Sequence, residues 1–317
     1  MRAEFDEQLK QKLYQRLSGI LQPEQILANE NMSAHTTFRV GGGADIFVEI
    51  NHESALQKVL GVLREEGLTR LNEDFYLLGN GSNVLVSDRG IRGVVLHLTK
   101  TYGRIQVEGT RLVCEAGATL AAIAHEAYEN GLTGFEFASG IPGSLGGAIV
   151  MNAGAYGGEM RHVVQCVRLM TLAGDVVEKS AEEMHFGYRH SLIKEEPLIV
   201  TQATLALARG SKQEIRGKME ELAARRREKQ PLEYPSAGST FKRPEGYFAA
   251  KLIEDAGLRG FAVGGAQVSE KHCGFVVNKG GATAGDVREL ITQIQQRVKA
   301  SAQVAIEPEV IMLGFDS

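Results

Sequence analysis

The sequence predicts an α+β protein with three small units that follow an N-terminal helix. Short runs of β-branched and aromatic residues alternate with amphipathic segments along the chain. With 317 residues the chain is long enough for two or three domains, each with its own core. Its 37 glycines, without a collagen period, predict many tight turns and many places of close backbone approach.

The N-terminal helix is predicted over residues 2–18, because apolar residues recur there every four positions and form one stripe. Residues 1–30 are assigned to this extension, for which no chemistry is predicted. The first α+β unit, residues 31–100, has one helix near 54–66 and three β-type runs. These runs are residues 46–50, 75–78 and 94–98.

The second unit, residues 101–208, has a helix near 119–130 and a long glycine-rich stretch from Gly140 to Gly158. Its predicted strands cover residues 111–115, 163–171 and 198–207. The charged helix near 211–229 precedes Pro231 and Pro235, which indicates a boundary.

The third unit, residues 209–302, begins with this charged helix and ends with a helix from Gly285 to about Ala300, whose apolar residues share one face. Between these two helices we expect a further helix near 247–256 and strands near 261–278. A last strand near 303–313, in a terminal segment of residues 303–317, is expected to return to the first unit.

Composition excludes several classes of protein. Hydrophobic residues make up 43% and charged residues 23%, as in a folded soluble protein. The net charge of -4 favours neither nucleic acid nor an anionic membrane as a partner. Cys114, Cys166 and Cys273 are scattered singly, so neither a metal site nor a disulfide framework is predicted. With no secretory signal and no long apolar run, we expect a cytoplasmic monomer.

Three glycine-rich segments have the composition of phosphate-binding loops: residues 40–44, 79–83 and 140–147. Glycine allows backbone N–H groups to face an anion, although an ordinary turn explains any one segment as well. Val84 stands where a dinucleotide fingerprint requires its third glycine, and no GxxxxGK[ST] motif occurs. Together the segments favour a long diphosphate ligand held mainly by backbone.

Ordered motifs resemble those of the UDP-N-acetylenolpyruvoylglucosamine reductase (MurB) family, in its short-insert, or type II, class. The resemblance runs from about Asn31 to Gly314. It rests on NMSAHTTFRVGGG from Asn31, GNGSNVLV from Gly79, GFEFASGIPGSLGGAIVMNAGAY from Gly134, YRHS from Tyr188, GSTFK from Gly238, LIEDAGLRG from Leu252 and EPEV from Glu307.

This resemblance implies a two-subdomain FAD-binding fold of the vanillyl-alcohol-oxidase (PCMH) type, followed by a substrate domain. It implies non-covalent FAD, NADPH as hydride donor, and UDP-N-acetylglucosamine enolpyruvate as the substrate that is reduced to UDP-N-acetylmuramate. The residues that it assigns to FAD are Arg39, Gly79, Asn80, Gly81, Ser82, Asn83, Gly140, Ile141, Pro142, Gly143, Ser144, Asn152, Gly154 and Ala155.

The same resemblance makes Ser239 the proton donor at C2 of the substrate, Arg189 the clamp of its carboxylate, and Glu309 the second charged group of the site. Without the motifs, these residues read as a turn serine, a surface arginine and the exposed face of a strand. Substrate contacts are assigned to Lys229, His272, Tyr156 and Arg243. Arg243 stands where many relatives have asparagine.

Two other functions remain open at this point. The same flavin fold could serve an alcohol or hydroxy-acid oxidase that uses oxygen or another acceptor. Alternatively, the chain could be a sugar-nucleotide-binding protein that has lost its flavin. The first alternative predicts no NADPH-driven consumption of the enolpyruvyl sugar, and the second predicts a colourless protein.

Overall fold

The computed structural model describes residues 5–98 and 100–315 and divides the chain into two compact units. Unit 1 consists of Met1–Ala28, Ile46–Asn80 and Gly93–Ala224, and unit 2 of Asn29–Asp45, Gly81–Arg92 and Arg225–Ser317. The boundaries predicted at residues 30, 100, 208 and 302 stay a prediction.

Within the described residues the chain forms seven α-helices. They are α1 (Glu7–Ser18), α2 (Glu53–Glu65), α3 (Leu120–Glu129), α4 (Leu145–Val150), α5 (Lys212–Lys229), α6 (Ala249–Asp255) and α7 (Ala284–Ala302). None of the helices in the described part of the chain has the length and apolar character needed to span a bilayer.

The strands, numbered in chain order, are mostly short. They are β1 (Ile26–Asn31), β2 (Gly43–Ile50), β3 (Phe75–Leu78), β4 (Val84–Val86), β5 (Ile91–Leu98), β6 (Ile105–Glu108), β7 (Arg111–Glu115), β8 (Leu132–Thr133), β9 (Gly154–Ala155), β10 (Gly158–Glu159), β11 (Val164–Thr171), β12 (Val176–Ser180), β13 (Leu198–Ala206), β14 (Ala208–Arg209), β15 (Ser236–Ser239), β16 (Ala262–Val263), β17 (Ala266–Val268), β18 (Phe275–Asn278) and β19 (Ile311–Leu313).

Unit 1 contains an antiparallel five-stranded sheet in the order β12-β11-β13-β7-β6. In its core, Leu169, Ile199 and Leu205 are fully buried together with Leu56 and Ile123 of helices α2 and α3. A second sheet has the order β1-β2-β5-β3, and β3 pairs in parallel with β5. β2, β5 and β13 bury most of their residues, in keeping with the largely apolar runs that predicted them.

Unit 2 contains the four-stranded sheet β15-β18-β17-β16 and the parallel pair β4–β19. One face of α7 supplies buried Val287, Leu290 and Ile294 to its core, as the apolar stripe predicted. The start of α7 is fixed by Asp88, whose carboxylate accepts the N–H groups of Ala284 and Gly285 at 2.8 Å each. These are backbone donors that a helix cannot satisfy internally.

Three element predictions need correction or comment. Helix α1 begins at Glu7 because Asp6 caps it by accepting the N–H of Leu9; residues 2–4 of the predicted helix lie outside the described residues. The last strand is shorter than predicted: β19 covers only Ile311–Leu313. Residues 316 and 317 of the predicted terminal segment lie outside the described residues. Helix α4 falls inside the glycine-rich stretch, where no helix was predicted.

We expect acid to weaken unit 1 through Glu53. Arg168 on β11 donates two hydrogen bonds to this carboxylate, at 2.8 and 2.9 Å, and so lowers the pKa of Glu53 below its ordinary value. The resulting stability is present above the unfolded-state pKa and is lost as the pH falls through the folded one. Glu53→Gln should therefore lower the melting temperature at pH 7 and flatten its decline from about pH 5 to about pH 3.

Thermal melts across this pH range provide the measurement. Glu196→Gln, at an exposed position of the same unit, is the control and should keep the wild-type pH dependence. A Glu53→Gln curve parallel to that of the wild type would contradict the assignment.

Candidate active site

Two of the predicted flavin segments contact each other in unit 1. Gly79 and Asn80 follow β3, and Gly140–Ser144 precede α4. A Cβ atom on Gly79 would overlap the Oγ of buried Ser144, so glycine allows this contact. The carbonyl of Gly143 accepts the N–H of Leu120 at 3.1 Å, which ties the second loop to the start of α3.

The remainder of the first loop, Gly81–Asn83, belongs to unit 2. Gly81 has φ +60°, and a Cβ atom there would overlap the carbonyl oxygen of His35. The carbonyl of Gly81 accepts the N–H of Thr37 at 3.0 Å. Asn83 continues toward the C-terminal segment, since its Nδ2 donates to the carbonyl of Glu309 at 3.2 Å and its carbonyl accepts the N–H of Ile311 at 3.0 Å.

Ser239 and Glu309 lie on two chain segments of unit 2 that pair with each other. The N–H of Glu309 donates to the carbonyl of Thr240 at 2.8 Å, and the N–H of Lys242 donates to the carbonyl of Glu307 at 2.9 Å. An antiparallel bridge between Phe241 and Pro308 lies between these bonds. This pairing places Glu309 opposite Thr240, the residue that follows Ser239.

The local backbone presents Ser239 to solvent. Gly238 has φ +75°, and the pairing of β15 with β18 shifts register between Ser236 and Ser239. Such a bulge redirects the next side chain, and Ser239 is exposed while Thr240 is fully buried. Thr240 is held twice, because its N–H donates to the carbonyl of Gly274 at 2.8 Å and its Oγ1 accepts the N–H of Val276 at 3.0 Å.

Arg189 lies in unit 1, in a tight turn from Gly187 to His190 whose terminal residues exchange backbone hydrogen bonds at 3.1 and 3.3 Å. Its φ of +53° is what the third position of a type II turn requires, a position that glycine ordinarily fills. Holding a non-glycine residue there costs on the order of 1–3 kcal/mol. The turn exposes Tyr188, and the Arg189 guanidinium lies 5.3 Å from its ring centroid.

Asn152 holds this turn from one side. Its side chain is 1% exposed, and Nδ2 donates to the carbonyl of Gly187 and to Oε2 of Glu159, both at 2.9 Å. Its Oδ1 accepts the N–H of Arg161 at 3.0 Å. Both amide hydrogens are thus used within the protein, so the side chain of Asn152 has no donor left for a cofactor.

Left-handed residues are concentrated among the predicted site positions. Within the described residues eight non-glycine residues have positive φ, and four of them are Arg39, Asn152, Tyr156 and Arg189. Tyr156 follows the predicted flavin residues Gly154 and Ala155 at the turn between β9 and β10, where its side chain is 41% exposed. Strained backbone of this kind gathers at binding and catalytic sites, which supports these assignments.

His272 stands on the segment of unit 2 that holds Thr240. Its Nδ1 accepts the N–H of Gly274 at 3.1 Å, and its ring packs edge-on against Phe275 at 5.1 Å between centroids. Burial lowers the pKa of His272 below its ordinary value. The neutral ring then carries its proton on Nε2, which suits a donor to a substrate oxygen.

The remaining predicted substrate contacts lie at the surface of unit 2. Lys229 is the exposed last residue of α5. The guanidinium of Arg243 stacks 4.0 Å from the ring centroid of Phe248, which is 61% exposed. Phe248 was not predicted, and only the aromatic pair Tyr247–Phe248 so soon after the GSTFK motif could have indicated it.

In total, the structure places Ser239, Glu309, His272 and Asn83 in unit 2, and Arg189, Asn152 and Tyr156 in unit 1. The roles of these residues remain predictions. Sequence reasoning missed Thr240, although a threonine inside the GSTFK motif was a signal available to it.

Comparison with known proteins finds two matching domains. Residues 44–180 match an FAD binding domain, and residues 230–313 match the C-terminal domain of UDP-N-acetylenolpyruvoylglucosamine reductase. The predicted fold class is confirmed by these two matches and by the solved structure described next. Packed glycine loops with exposed Asn80, Gly140 and Pro142 are also consistent with a ligand bound through backbone groups.

Relatives named UDP-N-acetylenolpyruvoylglucosamine reductase match nearly the whole chain. The protein of Caldanaerobacter subterraneus subsp. tengcongensis is 51% identical over 95% of this chain and 98% of its own. That of Clostridioides difficile is 50% identical over 96% of this chain and 99% of its own. The crystal structure of the reductase (MurB) from Thermus caldophilus superposes with a TM-score of 0.76 at 34% identity, covering 91% of this chain and 98% of that one.

The contact between the two loops of unit 1 predicts a pair of compensating substitutions. In Gly79→Ala the new Cβ overlaps Ser144 Oγ, whereas the next nearest atom, Ser144 Cβ, would lie at an ordinary 3.7 Å. Gly79→Ala should therefore destabilise the apoprotein by about 1–3 kcal/mol, as overpacking does. Adding Ser144→Ala should recover most of this loss, and thermal unfolding of the flavin-free protein measures both effects.

Ser144→Ala alone is the reference for the double variant. Gly61→Ala, at a helical glycine of the same unit with open space around it, is the steric control. A double variant no more stable than Gly79→Ala would show that the overlap with Ser144 is not the cause.

Proposed function

The chain belongs to the UDP-N-acetylenolpyruvoylglucosamine reductase family, and we propose that it reduces UDP-N-acetylglucosamine enolpyruvate to UDP-N-acetylmuramate with NADPH as hydride donor. The observation that carries the proposal is the backbone pairing of Glu309 with Thr240, the residue next to Ser239, inside the C-terminal domain match. In the cell this would be a cytoplasmic step of peptidoglycan precursor synthesis, serving the cell wall, cell shape and division. FAD, bound without a covalent link, would accept hydride from NADPH and pass it to C3 of the enolpyruvyl group.

The predicted flavin residues fit a diphosphate-bearing cofactor. Gly79, Gly140 and Gly143 leave backbone groups accessible, and Asn80 and Ser82 add polar side chains beside them. Binding through backbone requires loops of fixed shape. The Gly79–Ser144 contact and the bond between Gly143 and Leu120 provide this in unit 1.

Ser239 is proposed to donate the proton that C2 of the substrate receives. Hydride addition at C3 leaves negative charge on C2 that spreads into the adjacent carboxylate, so C2 becomes a strong base. A serine hydroxyl is a weak acid in water, but it can protonate such a base when it is held within hydrogen-bond reach. The two bonds to Thr240 and the bulge at Gly238 hold Ser239 in place for this step.

Arg189 is proposed to bind the substrate carboxylate. A guanidinium stays charged at any physiological pH and can donate two parallel hydrogen bonds to a carboxylate. It would therefore stabilise the charge that builds up there during reduction. Glu309, half-buried and adjacent to Thr240, is the second charged group proposed at the reacting carbon.

The other contacts are assigned to the sugar nucleotide. Neutral His272 can donate a hydrogen bond from Nε2, while Lys229 and Arg243 carry the positive charge that a diphosphate attracts. Exposed Tyr156 would cover part of the substrate.

Substitution of Ser239 tests the assigned proton donor. Ser239→Ala removes the hydroxyl and leaves the backbone pairing, so flavin reduction by NADPH should proceed at the wild-type rate. Reoxidation by the enolpyruvyl sugar should fall about 10²–10⁴-fold, the typical contribution of a positioned general acid. Stopped-flow absorbance of the two half-reactions measures this.

Ser236→Ala, three residues earlier on β15, is the matched control and should keep both half-reactions. If Ser239→Ala lost both half-reactions, or neither, the role of Ser239 as proton donor would be rejected.

Anaerobic absorbance spectra of the purified protein test the function itself. NADPH should bleach a flavin band, and UDP-N-acetylglucosamine enolpyruvate should restore it, because each half-reaction changes the redox state of the flavin. Bleaching without restoration by the sugar nucleotide, but with restoration by oxygen, would favour an oxidase. Absence of a flavin band even after FAD is added would favour a binding protein instead.

A further inference from the structure

A second group of side chains holds the Arg189 turn, in addition to the bond from Asn152 to Gly187. Glu195 accepts hydrogen bonds from two histidines, 2.6 Å from Nε2 of His190 and 3.0 Å from Nδ1 of His185. We call these three residues the Glu195 brace. His190 is the last residue of the turn and the neighbour of Arg189 along the chain.

Arg189 itself is held by Lys194, the residue next to the Glu195 brace. Lys194 precedes Glu195, and its Nζ donates to the carbonyl of Arg189 at 2.8 Å. The N–H of Glu195 donates to the carbonyl of Leu192 at 2.9 Å. This bond fixes the backbone from which the side chains of Lys194 and Glu195 extend. The carbonyl of Arg189 and the ring of His190 are thus both held by residues 194 and 195.

A strained residue needs such support. Arg189 has φ +53° and His185 has φ +47°, so two left-handed non-glycine residues lie within five positions of each other. Such a conformation persists only where neighbouring groups impose it. The turn's own two backbone hydrogen bonds, at 3.1 and 3.3 Å, are longer than the hydrogen bonds that Glu195 and Lys194 make.

We propose that Glu195 is a positioning residue that acts through His190 to keep Arg189 in the conformation from which its guanidinium binds a carboxylate. The inference rests on the proposed function, because the carboxylate is that of the enolpyruvyl substrate and of its product. Hydrogen bonds from His190 and then His185 lower the pKa of Glu195, so the carboxylate stays ionised at neutral pH and accepts from both rings.

A purely structural explanation makes a different prediction. Glu195, His185 and His190 are all substantially exposed at the side chain, and exposed ion pairs contribute little to stability. If the brace were only such a surface cluster, its removal would change neither ligand binding nor the ligand preference. If it positions Arg189, removal should weaken ligands that carry a carboxylate and spare those that lack one.

The test compares two ligands of the FAD-loaded protein by calorimetry. UDP-N-acetylmuramate carries the carboxylate, and UDP-N-acetylglucosamine lacks it. Glu195→Ala should weaken the first about tenfold and leave the second unchanged. Glu195→Gln keeps a side-chain oxygen that accepts from His190, and its amide group can donate to His185 in the other ring tautomer, so binding should stay within about threefold of wild type. Glu196→Ala, the exposed neighbour, is the matched control and should change neither ligand.

A double-mutant cycle with Arg189 decides whether the effect passes through that residue. In an Arg189→Ala background, adding Glu195→Ala should cost no further affinity for UDP-N-acetylmuramate, because the group that Glu195 positions is already gone. Lys194→Met, which removes the bond to the Arg189 carbonyl, should show the same ligand selectivity as Glu195→Ala and provides a second route if Glu195→Ala fails to fold.

Three results would overturn the inference. Equal weakening of both ligands by Glu195→Ala would indicate a general structural role, and losses that add to those of Arg189→Ala would indicate that Glu195 acts elsewhere. Unchanged binding of both ligands would show that the turn needs no brace. Failure of the proposed function looks different, because Arg189→Ala itself would then leave UDP-N-acetylmuramate binding at the wild-type level.

Discussion

The pairing of residues 240–242 with residues 307–309 is the constraint on which the candidate site of unit 2 depends. Glu309 donates its backbone N–H to Thr240, and Asn83 donates its side chain to the Glu309 carbonyl. Three segments far apart in the chain therefore share one set of hydrogen bonds. The result is that a predicted proton donor, a charged partner and the end of a predicted flavin loop are positioned by the same backbone.

In unit 1, Arg189 is positioned mainly by side-chain hydrogen bonds to its turn. Arg189 stands in a turn position that favours glycine, so an arginine there is tolerated only because other groups hold the turn. Asn152 holds Gly187, and Lys194 holds the carbonyl of Arg189. A glycine would relieve the strain and would remove the guanidinium at the same time. Local stability is thus lower than it could be at the position for which a charged side chain is proposed.

Sequence alone predicts the regular elements well and the site only through motifs. β3 and β7 were predicted at their observed limits, because a short apolar run such as FYLL or LVC favours a strand. Helix α4 was missed because its six residues, LGGAIV, include two glycines and are too few to show a helical period. A strand was expected from residue 303, but Gln303 ends α7 in a left-handed conformation that no local pattern reveals. The partners of Thr240 are distant in sequence, and the contacts of Glu195 depend on how its side chain and those of the two histidines are oriented. No spacing rule predicts either set of contacts.

Residues held by backbone hydrogen bonds and residues held by side-chain hydrogen bonds differ in how strongly substitutions around them disturb their position. Ser239 and Glu309 are placed by backbone N–H and carbonyl groups, which most substitutions of the surrounding side chains leave unchanged. Arg189 is placed largely by side chains, namely those of Asn152, Lys194 and, through His190, Glu195. Each of these contacts can be lost by a single substitution. Variation outside the directly reacting groups should therefore alter binding of the substrate carboxylate sooner than it alters protonation at C2.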